Sequence, residues 1–242
     1  MTKLEAIEIR SSRRRYLPTE MTAAQIEVLE QEIARFEGEA GVLMELIQDC
    51  AVAFQGFRKS YGLLSGVRDC ICLFAPRGDQ IATEKLGYFG EDLVLTATAL
   101  GLGTCWVGGT FSKGDIPYTQ RDGQEMVCAI AIGNVAQAGS LRERFIQKMT
   151  HRKTKTVAQM SSHDAPPPDW FDRGMQAVLR APSAVNRQPV HFTYESGAVH
   201  ARISEGADVM TLLDFGIAKL HFELAAGSGA WDFGNGARFV KA

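Results

Sequence analysis

Ala181-Pro182-Ser183-Ala184-Val185-Asn186-Arg187-Gln188-Pro189 is the stretch on which the reading of this chain turns. It follows Trp170 to Arg180, patterned as an amphipathic helix, and precedes Val190 to Tyr194, patterned as a strand. Pro182 and Pro189 fix φ and prevent helix from continuing across the segment. Ser183, Asn186 and Gln188 gather neutral hydrogen-bond donors and acceptors. Such a loop can hydrogen-bond the edge of a planar heterocycle without adding charge. It lies in the last third of a 242-residue chain, so the remainder must supply the rest of any site.

Composition sets the limits. Hydrophobic residues at 45% and charged residues at 22% are ordinary for a globular protein with a substantial core. A net charge of −2 and a pI near 6.2 give no reason to expect nucleic acid or an acidic membrane as partner. No apolar run approaches the ~20 residues that span a bilayer. The stretch Met1 to Tyr16 lacks the apolar core of a signal peptide, and the expected location is the cytoplasm. Five cysteines fit a reducing compartment. Cys70 and Cys72 lie in Val67 to Ala75, a run patterned as a buried strand, and read as small core hydrophobes. The five histidines lack ligand spacing with any cysteine or carboxylate pair, so no metal site is expected.

Thr22-x-x-Gln25 is a capping box opening a helix with Ile26, Leu29, Ile33 and Phe36 on one face. Val42 to Ile47 and Met126 to Ile132 read as strands, and Leu93 to Leu100 as a buried helix ended by Gly101 and Gly103. Ser140-x-x-Glu143 is a second capping box, opening a helix through about Met149. Ser161 to Pro168 reads as a linker. A hairpin turning at Ser196-Gly197 follows the proline-flanked loop, and a last helix runs from about Val209 to Ala226. Phe89-Gly90, Ala99, Gly101 and Gly103 recur as Phe215-Gly216, Ala225, Gly227 and Gly229, all at one offset of 126 positions. A basic segment precedes each copy, Arg10 to Tyr16 and His151 to Thr156. The echo predicts a duplicated chain with halves of about 1–138 and 139–242 folded as one domain.

Three further segments have the composition of a ligand site. Arg10-Ser11-Ser12-Arg13-Arg14-Arg15-Tyr16 can gather cations and hydroxyls around a phosphate, or can be a solvated basic turn. In Gly101-Leu102-Gly103-Thr104-Cys105-Trp106-Val107-Gly108-Gly109, a helix C-cap explains the first two glycines but not Gly108 and Gly109. Glycines there let the backbone approach a flat ligand. Arg152-Lys153-Thr154-Lys155 is a second basic cluster. Arg142 and Arg144 share the spacing of Lys153 and Lys155 but fall inside the second capped helix. His221, on an apolar helix, reads as a satisfied core histidine.

Taken together, these segments resemble the FMN-dependent nitroreductase superfamily, specifically its R-x-S-x-R/K-x-aromatic, GLGT-x-W-x-GG and AP-S-A-x-N-x-QP motifs. The resemblance runs from Arg10 to about Trp231 and departs at Val190, where the family usually has Trp. It implies an α+β nitroreductase-like fold with mixed sheets packed with helices, made here of two pseudo-symmetric halves fused in one chain. Superfamily members are usually homodimers with shared sites, so a fused pair implies a monomer binding one FMN between its halves. By the match, Arg10 and Ser12 meet the phosphate or ribityl chain, with Ser11 in the same site, and Arg14 approaches the pyrimidine end of the ring. Arg13 and Arg15 carry no family role and are expected in solvent. Trp106, Val107, Gly108 and Gly109 line the ring, Lys153 and Lys155 reach the phosphate, and Pro182, Ser183, Ala184, Asn186 and Gln188 form the other wall. The implied activity is reduction of a small organic acceptor (a nitro compound, quinone or flavin) by NAD(P)H through the flavin. No Ser-His-Asp set, P-loop or GxGxxG fingerprint competes with this reading. A non-catalytic flavin-binding or flavin-buffering protein of the same fold is the alternative.

Overall fold

The Thr22 capping box forms: Thr22 Oγ accepts from Gln25 N–H, and the Gln25 side chain reaches back to Thr22 N–H. The computed structural model describes residues 1–55, 64–136 and 154–242. The expected capped helix at Ser140, with Arg142 and Arg144, lies outside the described residues, as does Lys153. The chain gathers into two compact units. One comprises Met1–Glu8, Asp79–Asp92 and His151–Ala242; the other comprises Ile9–Gly78 and Leu93–Thr150.

In chain order the elements are α1 (Lys3–Ile9), α2 (Ala23–Ala40), β1 (Leu43–Ile47), α3 (Ala51–Phe54), β2 (Asp69–Pro76), α4 (Gln80–Ala99), β3 (Gly103–Val107) and β4 (Gln124–Gly133). They continue as α5 (Val157–Met160), β5 (Ser161–His163), α6 (Asp169–Val178), β6 (His191–Glu195), β7 (Ala198–Arg202), α7 (Val209–Ala226), β8 (Gly229–Trp231) and β9 (Arg238–Lys241). Short 3-10 turns cover Lys113–Asp115 and Ala184–Asn186.

The unit holding α2 contains a four-stranded antiparallel sheet in the order β1-β2-β4-β3. β2 is buried on both faces except at Pro76, which fits its unbroken apolar run. Leu29, Ile33 and Phe36 of α2 are buried, as its periodicity predicts. Cys50 Sγ lies 3.2 Å from Cys70 Sγ, and Cys70 Sγ lies 3.8 Å from Cys72 Sγ. All five cysteines are buried thiols, and burial pushes the Cys128 thiol upward, so they pack as core residues. The end of α4 is a Schellman turn: Leu102 N–H donates to Ala97 O at 2.9 Å, Gly101 N–H donates to Thr98 O, and Gly101 has φ 81°. Gly103 is therefore not part of the cap. It begins β3, a strand where the sequence predicts a glycine-rich helix exit.

The other unit carries a five-stranded sheet in the order β5-β6-β7-β9-β8. β6 and β7 form the expected hairpin, with left-handed Ser196 (φ 51°) and Gly197 (φ 78°) at its two-residue turn. Ser161–His163, expected in a linker, instead adds β5 in parallel to β6. Phe171, Phe192, Phe215, Phe222, Trp231 and Phe239 fill the core between the sheet and helices α6 and α7. Among the described residues, no helix is long and apolar enough to cross a membrane, and no group of side chains could hold a metal ion.

Candidate functional site

The basic N-terminal segment is laid along the edge of β3. Ser12 forms a parallel bridge with Thr104, and Arg13 N–H donates to Thr104 O at 2.8 Å. Arg15 bridges Ser65 in the same way, with Ser65 N–H donating to Arg14 O at 2.9 Å. Tyr16, buried at the end of the segment, has its hydroxyl within 3.1 Å of Ala131 O. A side chain at Gly103 would run into Val135 and approach Arg13 Cβ to 3.0 Å, which explains the glycine there. This pairing holds Arg10, Ser11, Ser12 and Arg14 half-buried in the unit that contains β3. Arg14 Nη1 lies 3.4 Å from Ser12 O. Arg13 departs from expectation: it is half-buried, and its Nη2 donates to Ala136 O at 2.7 Å, while Arg15 is exposed as expected.

Trp106 and Val107 lie on β3. The Val107 side chain packs in the core, so any ligand contact there is through the main chain. Gly108 and Gly109 follow at the strand end and are exposed. Among the described residues, no atom beyond its chain neighbours lies within 4 Å of where a Gly109 Cβ would stand, and its φ is not left-handed. Neither packing nor backbone strain accounts for a glycine at that position.

The proline-flanked loop sits in the other unit and is unusually constrained. Val185 (φ 48°), Asn186 (φ 54°) and Gln188 (φ 46°) are all left-handed, a conformation that costs non-glycine residues on the order of 1 kcal/mol or more each. Four clamps hold it. Ala184 N–H donates to both carboxylate oxygens of Asp214, at 3.0 and 3.1 Å. Gln188 N–H donates to Ser183 Oγ at 3.0 Å. Arg187 pairs with Asp208, the residue that caps α7. Lys155 donates twice to Gln188, from its N–H to Oε1 at 2.8 Å and from Nζ to the main-chain O at 2.7 Å.

The last clamp fixes the orientation of the Gln188 amide. With Oε1 committed to Lys155, Nε2 must point its donors elsewhere. Gln188 is 4% exposed, and among the described residues Nε2 meets no acceptor. A buried amide donor without a partner costs roughly 1–3 kcal/mol, so the site has the character of one completed by an acceptor-bearing ligand. Lys155, expected at a phosphate, is seen here as a clamp on the loop.

Asp214 and Asp208 were missed in the sequence. The available signal was an acid in the otherwise apolar Leu212-Leu213-Asp214-Phe215. Burial raises the Asp214 carboxyl to about 7, against the lowering effects of the Ala184 N–H and Arg187. Two other polar pairs in α7 are structural. Lys219 and Glu84 form a buried ion pair, with Glu84 Oε2 also accepting from Gly234 N–H. Burial outweighs their attraction, raising Glu84 and lowering Lys219. His221, fully buried, donates from Nδ1 to Ala177 O at 3.1 Å, and its Nε2 lies 3.0 Å from Glu91 Oε1.

Among solved structures, the chain resembles a "putative nitroreductase" from Thermotoga maritima, at 19% identity and a TM-score of 0.64, over 99% of this chain and 92% of that one. It also resembles a "putative nitroreductase in complex with FMN" from Desulfovibrio desulfuricans, at 22% identity and a TM-score of 0.50, over 69% of this chain and 99% of that one. At such identities these likenesses concern the fold alone. No curated protein matches the chain. The family model described as "Putative TM nitroreductase" matches residues 2–226, nearly the whole sequence, and the chain belongs to that nitroreductase family.

Proposed function

We propose that the protein is an FMN-dependent oxidoreductase that uses NAD(P)H to reduce a small organic acceptor. The observation carrying this reading is the Gln188 amide: buried, oriented by Lys155, and with its Nε2 donor unpartnered among the described residues. An isoalloxazine edge supplies such acceptors, and the nitroreductase family membership gives the ligand its class. The unexplained glycine at 109 is consistent with close approach of a flat ring.

The residues assigned to FMN are Arg10, Ser11, Ser12 and Arg14; the main chain of Trp106, Val107, Gly108 and Gly109; Lys153 and Lys155; and Pro182, Ser183, Ala184, Asn186 and Gln188. Arg10 and Ser12 are assigned to the phosphate end and Arg14 to the pyrimidine end. Lys155 Nζ gives one of its three hydrogens to Gln188 O, and the proposal directs the others toward an anion. When bound, FMN supplies the redox chemistry between the nicotinamide and the acceptor. The protein's part is to bind, orient and set local charge. A further part of the proposal is that the chain acts as a cytoplasmic monomer descended from a duplication.

Duplication is supported by more than the 126-residue echo. In one sheet β1 and β2 are adjacent, α4 follows, β3 begins at Gly103, and β4 inserts between β2 and β3. In the other sheet β6 and β7 are adjacent, α7 follows, β8 begins at Gly229, and β9 inserts between β7 and β8. The two glycines that open β3 and β8 stand 126 positions apart.

The test is flavin release from the purified protein by denaturation, followed by chromatographic identification, with steady-state oxidation of NADH and NADPH in the presence of a quinone. Bound FMN and quinone-dependent turnover are expected. FMN without turnover would move the reading to a flavin-binding protein, and protein that neither retains nor takes up FMN would overturn it.

A further inference from the structure

Asp214 stands outside every ligand-facing motif, yet it makes the loop's only contact with α7 through a main-chain amide among the described residues. The Ala184 N–H is shared between its two oxygens, and the next residues, Val185 and Asn186, are the left-handed ones. A left-handed valine is disfavoured by its branched side chain, so the loop needs an external restraint at its start as well as at Gln188. Asp214 is 5% exposed and sits on a helix anchored by Lys219–Glu84 and His221–Glu91, so its carboxyl has little freedom to follow a moving loop.

We propose that Asp214 is a positioning residue: its carboxylate, through Ala184 N–H, holds loop 183–188 in the shape that presents Asn186 and Gln188 to the flavin. This rests on the FMN reading given above. The restraint is stronger when Asp214 is charged, because a hydrogen bond to an ionised acceptor is roughly twice as strong as a neutral one. The charged groups acting on Asp214 are Arg187 from the loop, which favours the carboxylate, and Asp208 at the α7 N-cap, which opposes it. On α4, Glu84 and Tyr88 are engaged elsewhere, with Lys219 and Glu223. Burial brings the Asp214 titration to about pH 7, so the clamp tightens as pH rises through neutrality.

The sign separates positioning from simple electrostatics. A carboxylate acting by charge alone on an anionic ligand would weaken binding as it ionised; a loop clamp strengthens it. FMN affinity is therefore compared in wild type, Asp214→Asn and Asp214→Ala at pH 6 and pH 8.5 by quenching of flavin fluorescence. The ratio of dissociation constants, variant over wild type, cancels ionisation of FMN itself. For Asp214→Asn, which keeps a neutral acceptor for Ala184 N–H, the ratio should be near one at pH 6 and rise to about tenfold at pH 8.5. Asp214→Ala should bind at least tenfold more weakly at both pH values. A ratio for Asp214→Asn that is independent of pH, or that falls as pH rises, overturns the proposal.

The Ala184 amide resonance of flavin-free protein provides a second readout. It should titrate with a midpoint near neutrality in wild type and not in Asp214→Asn. If wild type takes up no FMN, the cofactor reading fails by itself, and the amide titration decides the clamp: its absence overturns the proposal. If Asp214→Ala does not fold, the Asp214→Asn ratio and the amide titration decide between clamp and no clamp.

Discussion

Gln188 is the most informative single residue, because its two amide atoms have different fates. Oε1 accepts from Lys155 N–H, whereas Nε2 is buried without an acceptor among the described residues. Gln188→Glu keeps the acceptor for Lys155 and removes the donor. We expect FMN to bind about tenfold or more weakly, from ~1–3 kcal/mol of lost hydrogen bonding. Equal affinity in a flavin titration would remove Gln188 from the site. The role proposed for Arg14 concerns redox poise instead. A guanidinium near the pyrimidine edge favours the reduced, more negative flavin, so Arg14→Gln should lower the midpoint potential by about 30 mV for each 1.4 kcal/mol of lost preference, with FMN still bound. An unchanged potential in Arg14→Gln, together with a shift in Asn186→Ala, would exchange their assigned roles. Asp214 links the site to stability. Its folded-state titration near pH 7 lies above the ordinary aspartate value of 3.8, so the native state holds a proton that the unfolded chain has lost between those values. Stability contributed by Asp214 is therefore present below about pH 4 and is lost as pH rises through 7, by up to about 4 kcal/mol. Denaturant unfolding of wild type and Asp214→Asn should show their stability difference shifting in favour of the variant over that window. A difference flat with pH would mean that Asp214 is ionised throughout. The same ionisation that tightens the loop weakens the fold.

Helices α4 and α7 show how an element is specified by what it must approach. Within one unit, a side chain at Gly87 would overlap Leu213 O, and one at Gly216 would overlap the Glu84 carbonyl. Both helices need glycine where their backbones meet. Gly38 in α2 is the control, since among the described residues nothing outside its own helix backbone lies within 4 Å of its absent Cβ, and its φ is not left-handed. Gly87→Ala or Gly216→Ala should each destabilise the protein by at least ~1–3 kcal/mol through overpacking. Gly38→Ala should stabilise it by about 0.5–1 kcal/mol by reducing unfolded-state freedom. Thermal melts decide this, at about 2–4 °C per kcal/mol for a chain of this size, and equal effects at all three positions would contradict the packing account. The same elements mark what could be read from sequence. The Thr22 box, the Ser196-Gly197 hairpin and α7 were legible because local chemistry alone specifies them. β3 was not, because Gly103 and Gly101 look alike in sequence, and only the approach of the Arg13 segment makes the first a strand residue. β5, β8 and β9 are short edge or near-edge strands whose pairing is set by partners distant in sequence. The first turns of α4 were missed because they carry Glu84 and Glu91, whose burial depends on Lys219 and His221 far along the chain.

Across the whole molecule, the unequal distribution of motifs matters more than the repetition. Both sheets insert their last strand beside the one that precedes the long helix (β4 beside β2, β9 beside β7), and both follow that helix with a left-handed glycine, Gly101 and Gly227. Yet the proline-flanked loop occurs once, before β6, and the Trp106-Val107-Gly108-Gly109 segment occurs once, after α4. The sequence halves are also not self-sufficient: the unit containing His151–Ala242 includes Asp79–Asp92, which supplies Glu84 to Lys219, Tyr88 to Glu223 and Glu91 to His221. Without those partners α7 would bury a lysine whose uncompensated charge costs roughly 3–5 kcal/mol. One chain thus supplies both members of each of these buried pairs. If the chain is duplicated, as proposed, one intact copy of each ligand-facing motif predicts one FMN per polypeptide and a monomer in solution. Light scattering behind a sizing column gives the mass of the particle, expected at 26.5 kDa plus one cofactor. Flavin released from a known amount of protein gives the stoichiometry, expected at about one. Two flavins per chain would mean that the second, altered set of motifs still binds, and an obligate dimer would mean that a second chain completes the site.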